Sequence, residues 1–226
     1  MTRPALVCCS HGTDSVDGRA VISAIVDAAR ELVQVPTHET YVDVQQPQVD
    51  EVVASFDDPA VIVPLLLSPG FHTSVDIGRA AASRPGVVAT GTLGPDPLLV
   101  DVLVDRLAAA GLRDGDRVVL AASGSSRPEA AERVEEVRAA LAARIPQPVT
   151  VGYAYGATPT VADAVRLARG DGRVVIASYV LAPGHFANLI AAAGADVVTD
   201  PLGIAPDGSA EPRIARIVAT RYAAAA

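Results

Sequence analysis

The chain has no lysine and no tryptophan, one methionine, two cysteines and only 4% aromatic residues. Without lysine there is no amine for a Schiff base and no cation for a Walker-type phosphate loop. All 18 basic residues are arginine, set against 26 carboxylates, for a net charge of −8. That balance excludes general affinity for nucleic acid or anionic membrane, which depends on clustered cations releasing counterions. The cysteines, Cys8 and Cys9, are adjacent. This spacing suits neither a disulfide nor a zinc knuckle and reads as small buried residues in a strand. Long hydrophobic runs are lacking too: no apolar stretch approaches the roughly 18 residues of a membrane span. The first residues hold no apolar segment long enough for a secretory leader, so the expected setting is the cytoplasm.

What is present is hydrophobicity spread over many short elements. With 226 residues, 50% of them hydrophobic, the chain can bury one large core or two small ones. It also repeats itself. The run ending Ser10-His11-Gly12-Thr13 recurs 112 residues later as the run ending Ala122-Ser123-Gly124-Ser125, and the same offset carries Pro47 onto Pro159. Pro69-Gly70 is answered by Pro183-Gly184 and Leu93-Gly94 by Leu202-Gly203, at offsets differing by a few residues. The whole chain reads as a duplication.

Each half alternates short Val/Ile/Leu runs with amphipathic stretches. In the first half the expected strands are 5–9, 39–44, 60–67 and 87–91, and the expected helices lie near 16–33, 47–55, 74–83 and 96–110. Strands at 117–122, 149–154, 173–181 and 196–199 are expected in the second half. Strand and helix alternation with strands apolar on both faces implies parallel sheets covered by helices. The expectation is an α/β fold of two tandem homologous lobes, 1–112 and 113–226, with a cleft between them. In such sheets ligands bind beyond the carboxyl ends of the strands, and the repeated motifs lie there.

His11 and His72 each follow a buried strand at a Gly-containing turn, so both should face one cleft. Asp43 should end a third strand and bring a carboxylate to the same edge. Two imidazoles and a carboxylate suit Fe, Co, Ni or Zn better than the harder Mg or Ca, and can leave coordination positions open. In the second half His11 becomes Ser123, Asp43 becomes Tyr155 and His72 becomes Phe186, with His185 one residue earlier. The second lobe has lost the triad and is expected to supply a wall of the cleft. Asp76 either complements a helix dipole or orients His72. Ser123-Gly124-Ser125-Ser126 is either a helix cap or a weak anion cradle. His38 reads as an ordinary turn residue.

Val7-Cys8-Cys9-Ser10-His11-Gly12-Thr13, the step from Asp43 to Pro47, Pro64 through Ile77 including Pro69-Gly70-Phe71-His72, and Leu93-Gly94-Pro95-Asp96 together resemble the sirohydrochlorin chelatases. These are small metal-inserting enzymes of sirohaem and cobalamin synthesis, and the likeness is to their two-repeat form. The resemblance implies a chelatase-like fold and a class II chelatase that inserts a divalent metal, Fe²⁺, Co²⁺ or Ni²⁺, into a sirohydrochlorin-type tetrapyrrole without an organic cofactor. It places the paired catalytic histidines at His11 and His72 and a metal contact at Asp43. Thr13 stands where the family more often has Ser, and Asp43 where it often has Glu.

Metal insertion must strip water from the ion, hold it loosely and remove two pyrrole protons, tasks suited to neutral imidazoles. A substrate rich in carboxylates calls for arginines around the cleft of an acidic protein; Arg127 is one candidate. The duplication supplies two lobes within one chain, so a monomer is expected. Two other functions stay open. A histidine phosphatase also uses a His-Gly after its first strand, but needs an arginine before the histidine where this chain has Ser10. A metal or tetrapyrrole carrier would use the same cleft without turnover.

Overall fold

The short apolar runs pair side by side and in parallel. The computed structural model describes residues 3–70 and 73–226. The first half runs β1 (Ala5–Ser10), α1 (Val16–Val33), β2 (Thr37–Tyr41), α2 (Val49–Ala54) and β3 (Ala60–Pro64). A π-helical turn (Thr73–Ile77) then leads into α3 (Gly78–Ala82), followed by β4 (Val87–Ala89) and α4 (Pro97–Ala109). The second half gives β5 (Arg117–Ala122), α5 (Pro128–Ala142), β6 (Val149–Tyr153), α6 (Val161–Ala168), β7 (Val174–Tyr179), α7 (His185–Ala191), β8 (Val197–Val198) and α8 (Pro212–Ala225).

Among the described residues these strands form two four-stranded parallel sheets, ordered β2-β1-β3-β4 and β6-β5-β7-β8. Ser10 lies beside Tyr41 and Cys9 beside Pro64; Ala122 lies between Tyr153 and Tyr179. In each sheet the first strand of the half sits between the next two in sequence, so successive connections leave in opposite directions. The carboxyl end of β1, and of β5, is therefore a topological switch point, where open α/β sheets form binding crevices.

Local sequence chemistry sets the helix ends. Ser15 caps α1 by accepting from the Gly18 N–H, and Asp96 caps α4 by accepting from Leu98. Pro97, Pro128 and Pro212 each open a helix where no N–H is needed. Ile22, Ile25, Val26, Ala29 and Val33 give α1 one buried stripe. Several expected elements shift: the strands expected at 60–67 and 87–91 end at Pro64 and Ala89, and the helix expected near 74–83 is a π-helical turn followed by the short α3. Strand β2 ends at Tyr41 rather than near 44, because the chain turns at Val44 with φ of 60°. Helix α2 begins at Val49 rather than 47, where Gln48 and Glu51 form a reciprocal cap.

Alternate residues of the inner strands enter different cores. Leu6 and Cys8 of β1, with Val118, Leu120 and Ala122 of β5, share one central cluster with α1, α4, α5 and α8. Val7 and Cys9 face an outer cluster under α2 and α3, and Val119 and Ala121 one under α6 and α7. Both cysteines are buried, and burial pushes the Cys9 thiol up to about 12 and that of Cys8 higher still. The last helix of each half crosses to the other: α4 packs on α5 and β7, and α8 packs on α1 and β3. Where α4 meets α8, Glu211 takes a two-pronged contact from Arg213 at 2.7 and 3.0 Å.

Leu103, fully buried on α4 in the shared cluster, tests whether the halves stand or fall together. Leu103→Ala is expected to lower stability by about 2–5 kcal/mol. Urea unfolding should remain one transition when followed by far-ultraviolet circular dichroism and by tyrosine fluorescence.

Candidate active site

His11 is the first residue past β1. Gly12 follows with φ of +93°, and a Cβ there would stand 2.2 Å from the carbonyl oxygen of Asp43. Only glycine permits both that dihedral and that approach. The two loops are bonded as well as packed: the Val42 N–H donates to Ser10 O at 3.0 Å and the Asp43 N–H to His11 O at 3.1 Å. His11 and Asp43 are thus held side by side beyond adjacent parallel strands. Asp43 lies in the loop past β2, not on the strand. One of its carboxylate oxygens accepts from the Val44 N–H at 2.8 Å, so part of its capacity is used within its own turn.

The turn is closed by the Gln45 N–H, which donates to Asp43 O at 2.6 Å around Val44, a γ-turn with a positive central φ. The Gln45 side chain reaches back and accepts from the Thr13 N–H at 2.9 Å. Arg19 donates from Nε to Thr13 O at 2.8 Å. Thr13 is therefore clamped through both of its backbone groups, which fixes the loop carrying His11. Sequence reasoning singled out His11 and Asp43 but missed Val44, Gln45 and Arg19. The 112-residue offset carries the missing signal, since Gln45 falls on Ala157 and Arg19 on Ala131.

The second half reproduces the backbone without the chemistry. The Tyr155 N–H donates to Ser123 O at 2.9 Å, and a Cβ at Gly124 would stand 1.9 Å from Tyr155 O. Gly156, at φ of 69°, occupies the place of Val44. Tyr41 bridges to Gln48 as Tyr153 does to Thr160. The pairing of His11 with Ser123 and of Asp43 with Tyr155, read from the offset, is the pairing of the folded loops.

Loops from the two halves meet at this edge. A Cβ on Gly18 would be 2.2 Å from Pro183 O, and one on Gly184 would be 3.0 Å from Thr13 Oγ1. His185, exposed at the start of α7 and edge-on to Phe186, is carried next to the His11 loop. The Tyr179 hydroxyl donates to Leu67 O at 3.4 Å, and burial raises its phenol. Asp76 pairs with Arg79 at 3.1 Å. His72 and Phe71 lie outside the described residues. Among the described residues no three His, Cys, Asp or Glu side chains gather in a metal-holding group. His38 stacks on Phe56 with ring centroids 4.9 Å apart, and burial, then Arg30, lowers its pKa. Ser125 Oγ accepts from the Arg127 N–H at 3.2 Å, which makes the serine-glycine loop the approach to α5. A groove of about 570 Å³ runs along β6 between Glu135, Tyr153 and Leu167, and includes neither His11 nor Asp43.

The CbiX family model matches residues 5–110 and again 117–225. A Halobacterium salinarum protein named "Probable sirohydrochlorin cobaltochelatase" is 34% identical over 126 residues, covering 48% of this chain and 43% of that protein. The match thus spans less than half the length of that relative. SirB from Bacillus subtilis with Fe³⁺ superposes with a TM-score of 0.81 at 21% identity, covering 100% of this chain and 96% of SirB. The sirohydrochlorin chelatase SirB from Bacillus subtilis subspecies spizizenii in complex with cobalt gives 0.75 at 18% identity, covering 100% and 96%.

Gly12→Ala is expected to cost about 1–3 kcal/mol, because the new methyl must displace the Asp43 carbonyl at a dihedral that alanine resists. Gly124→Ala should cost a similar amount in chemical denaturation.

Proposed function

From the premise that the chain belongs to the CbiX family, we propose that it is a sirohydrochlorin chelatase, a lyase-type enzyme that inserts Fe²⁺ or Co²⁺ into sirohydrochlorin in sirohaem or cobalamin synthesis. The observation that carries this reading is the asymmetry of the duplicated turn. The same bonded pair of loops holds His11 beside Asp43 in one half and Ser123 beside Tyr155 in the other. Residues 1–112 are the catalytic lobe and 113–226 a degenerate repeat that completes the cleft.

Metal is substrate here, and no organic cofactor is required. His11 and His72 act as transient ligands and as bases, with Asp43 as a third contact. As the divalent ion enters the ring, two pyrrole N–H bonds break, their protons pass to the imidazoles and then to water, and the nitrogen lone pairs bind the metal. Weak and open coordination serves this better than a closed shell, since the ion must leave the protein for the macrocycle. Arg19, held by Thr13 and paired loosely with the exposed Asp14 at 3.7 Å, supplies local positive charge for substrate carboxylates. One chain provides both lobes, so the working unit is a monomer.

The test is the visible spectrum of sirohydrochlorin with Co²⁺ or Fe²⁺ under anaerobic conditions. Multiple turnovers are expected, falling about 100-fold or more in His11→Ala and in His72→Ala. Binding that stops at one equivalent without turnover would make the protein a carrier instead. With imidazole as the base, the insertion rate should fall as pH drops through about 6.5; a flat profile between pH 5 and 8 would reject histidine in that role.

A further inference from the structure

Val44 sits at φ of 60°, a backbone conformation that a β-branched residue adopts only under constraint. The fold fixes the dihedral but does not ask for valine there, because the equivalent turn of the second half meets the same loop pairing with Gly156 at φ of 69°. Nor does Val44 fill a core: it is 46% exposed. Its Cβ lies 3.2 Å from where a side chain on Gly12 would begin, which puts its methyl groups at the mouth beside His11 and Asp43. A side chain at Gly156 would meet the Ser125–Ser126 backbone at 3.1–3.2 Å, whereas the first half accommodates Val44 there, about half exposed. The strained turn is also held shut twice by Gln45, through its N–H to Asp43 O and its side chain to the Thr13 N–H, and Ala157 has no side chain that could do the second.

A β-branched residue kept at a dihedral that glycine would hold at less cost, largely exposed, and braced only in the half that carries His11, points to use by a ligand. We propose that Val44 is a specificity-determining contact, its isopropyl group pressing on the apolar face of the tetrapyrrole to set the ring against His11. This rests on the chelatase reading. Contact with a ring face made equally before and during metal entry changes substrate affinity more than the chemical step.

The test compares the parent protein with Val44→Gly and Val44→Ala. Val44→Gly is expected to raise KM for sirohydrochlorin about five- to tenfold with kcat within about twofold, the scale of a lost apolar contact of this size. Its Tm should equal or exceed that of the parent, since glycine relieves the dihedral. Val44→Ala keeps the unfavourable dihedral, so it should raise KM less and bring no gain in Tm. An unchanged KM in Val44→Gly, a loss confined to kcat, or a fall in Tm beyond about 4 °C would overturn the assignment while leaving the chelatase reading intact. Absence of metal insertion by the parent would remove the chelatase reading. Absorbance titration with metal-free sirohydrochlorin then decides Val44 alone: weaker binding by Val44→Gly supports it, and equal binding or none rejects it.

Discussion

The structure depends on an exchange. Because α4 of the first half packs on β7 and α8 of the second packs on β3, neither sheet buries its inner face with its own helices alone. Leu99, Leu103 and Leu107 from α4 meet Ile214, Ile217 and Val218 from α8 in one cluster lying between both sheets. Burial of this kind is worth about 1.5–3 kcal/mol per large side chain, so separating the halves would expose many such terms at once. The rigidity has a local consequence. Gly18 can lie so close to Pro183, and Thr13 to Gly184, only if the two sheets keep their relation, and a candidate site flanked by loops of both lobes inherits that precision.

Within this frame, backbone and chemistry separate cleanly. Gly12 and Gly124 make the same approach to a carbonyl, and the neighbouring N–H groups donate to matched oxygens. Selection for folding therefore accounts for the glycines and the loop pairing in both halves. It does not account for His11, Asp43, Gln45 and Arg19, which have no counterparts among Ser123, Tyr155, Ala157 and Ala131. A duplicated protein carries its own control: what both copies keep belongs to the fold, and what one copy alone keeps is what the proposed function is argued from.

Much of this was legible in the chain. Short Val/Ile/Leu runs located the inner strands, since β1 and β5 are buried along nearly their whole length, and the amphipathic stretch expected near 16–33 is α1. The edges were harder. Strand β2 is bounded by the turn at Val44, and no residue type announces a valine at positive φ. The exchange of α4 and α8 was hidden as well, because an amphipathic helix records that it has an apolar face but not which sheet covers it. That His11 and Asp43 lie at one sheet edge could be read because strand ends and glycine turns are visible locally. The clamp on Thr13 joins residues 13, 19 and 45 by hydrogen bonds, and such contacts leave no periodic trace.

On the proposed chelatase reading, an acidic protein takes up a carboxylate-rich ring against its own net charge of −8, so its positive charge has to be placed rather than abundant. Most described arginines are committed. Arg173 is held by Asp116 at 2.6 Å, which keeps the Asp116 carboxyl below its usual range, and Arg213 is held by Glu211 and Asp105. Arg221 closes on Asp96, and Arg169 on Asp196. These pairs neutralise charge where it would repel and tie neighbouring elements together. Arg19 is different: its Nε is anchored to a backbone oxygen, while its carboxylate partner, Asp14, stands 3.7 Å away and almost wholly in water. So loose and solvated a contact contributes little. An incoming carboxylate can displace it without undoing anything the fold needs, and the guanidinium is already aimed at the loop that carries His11. Local field of that kind, not net charge, governs capture at a cleft within a Debye length of about 8–10 Å.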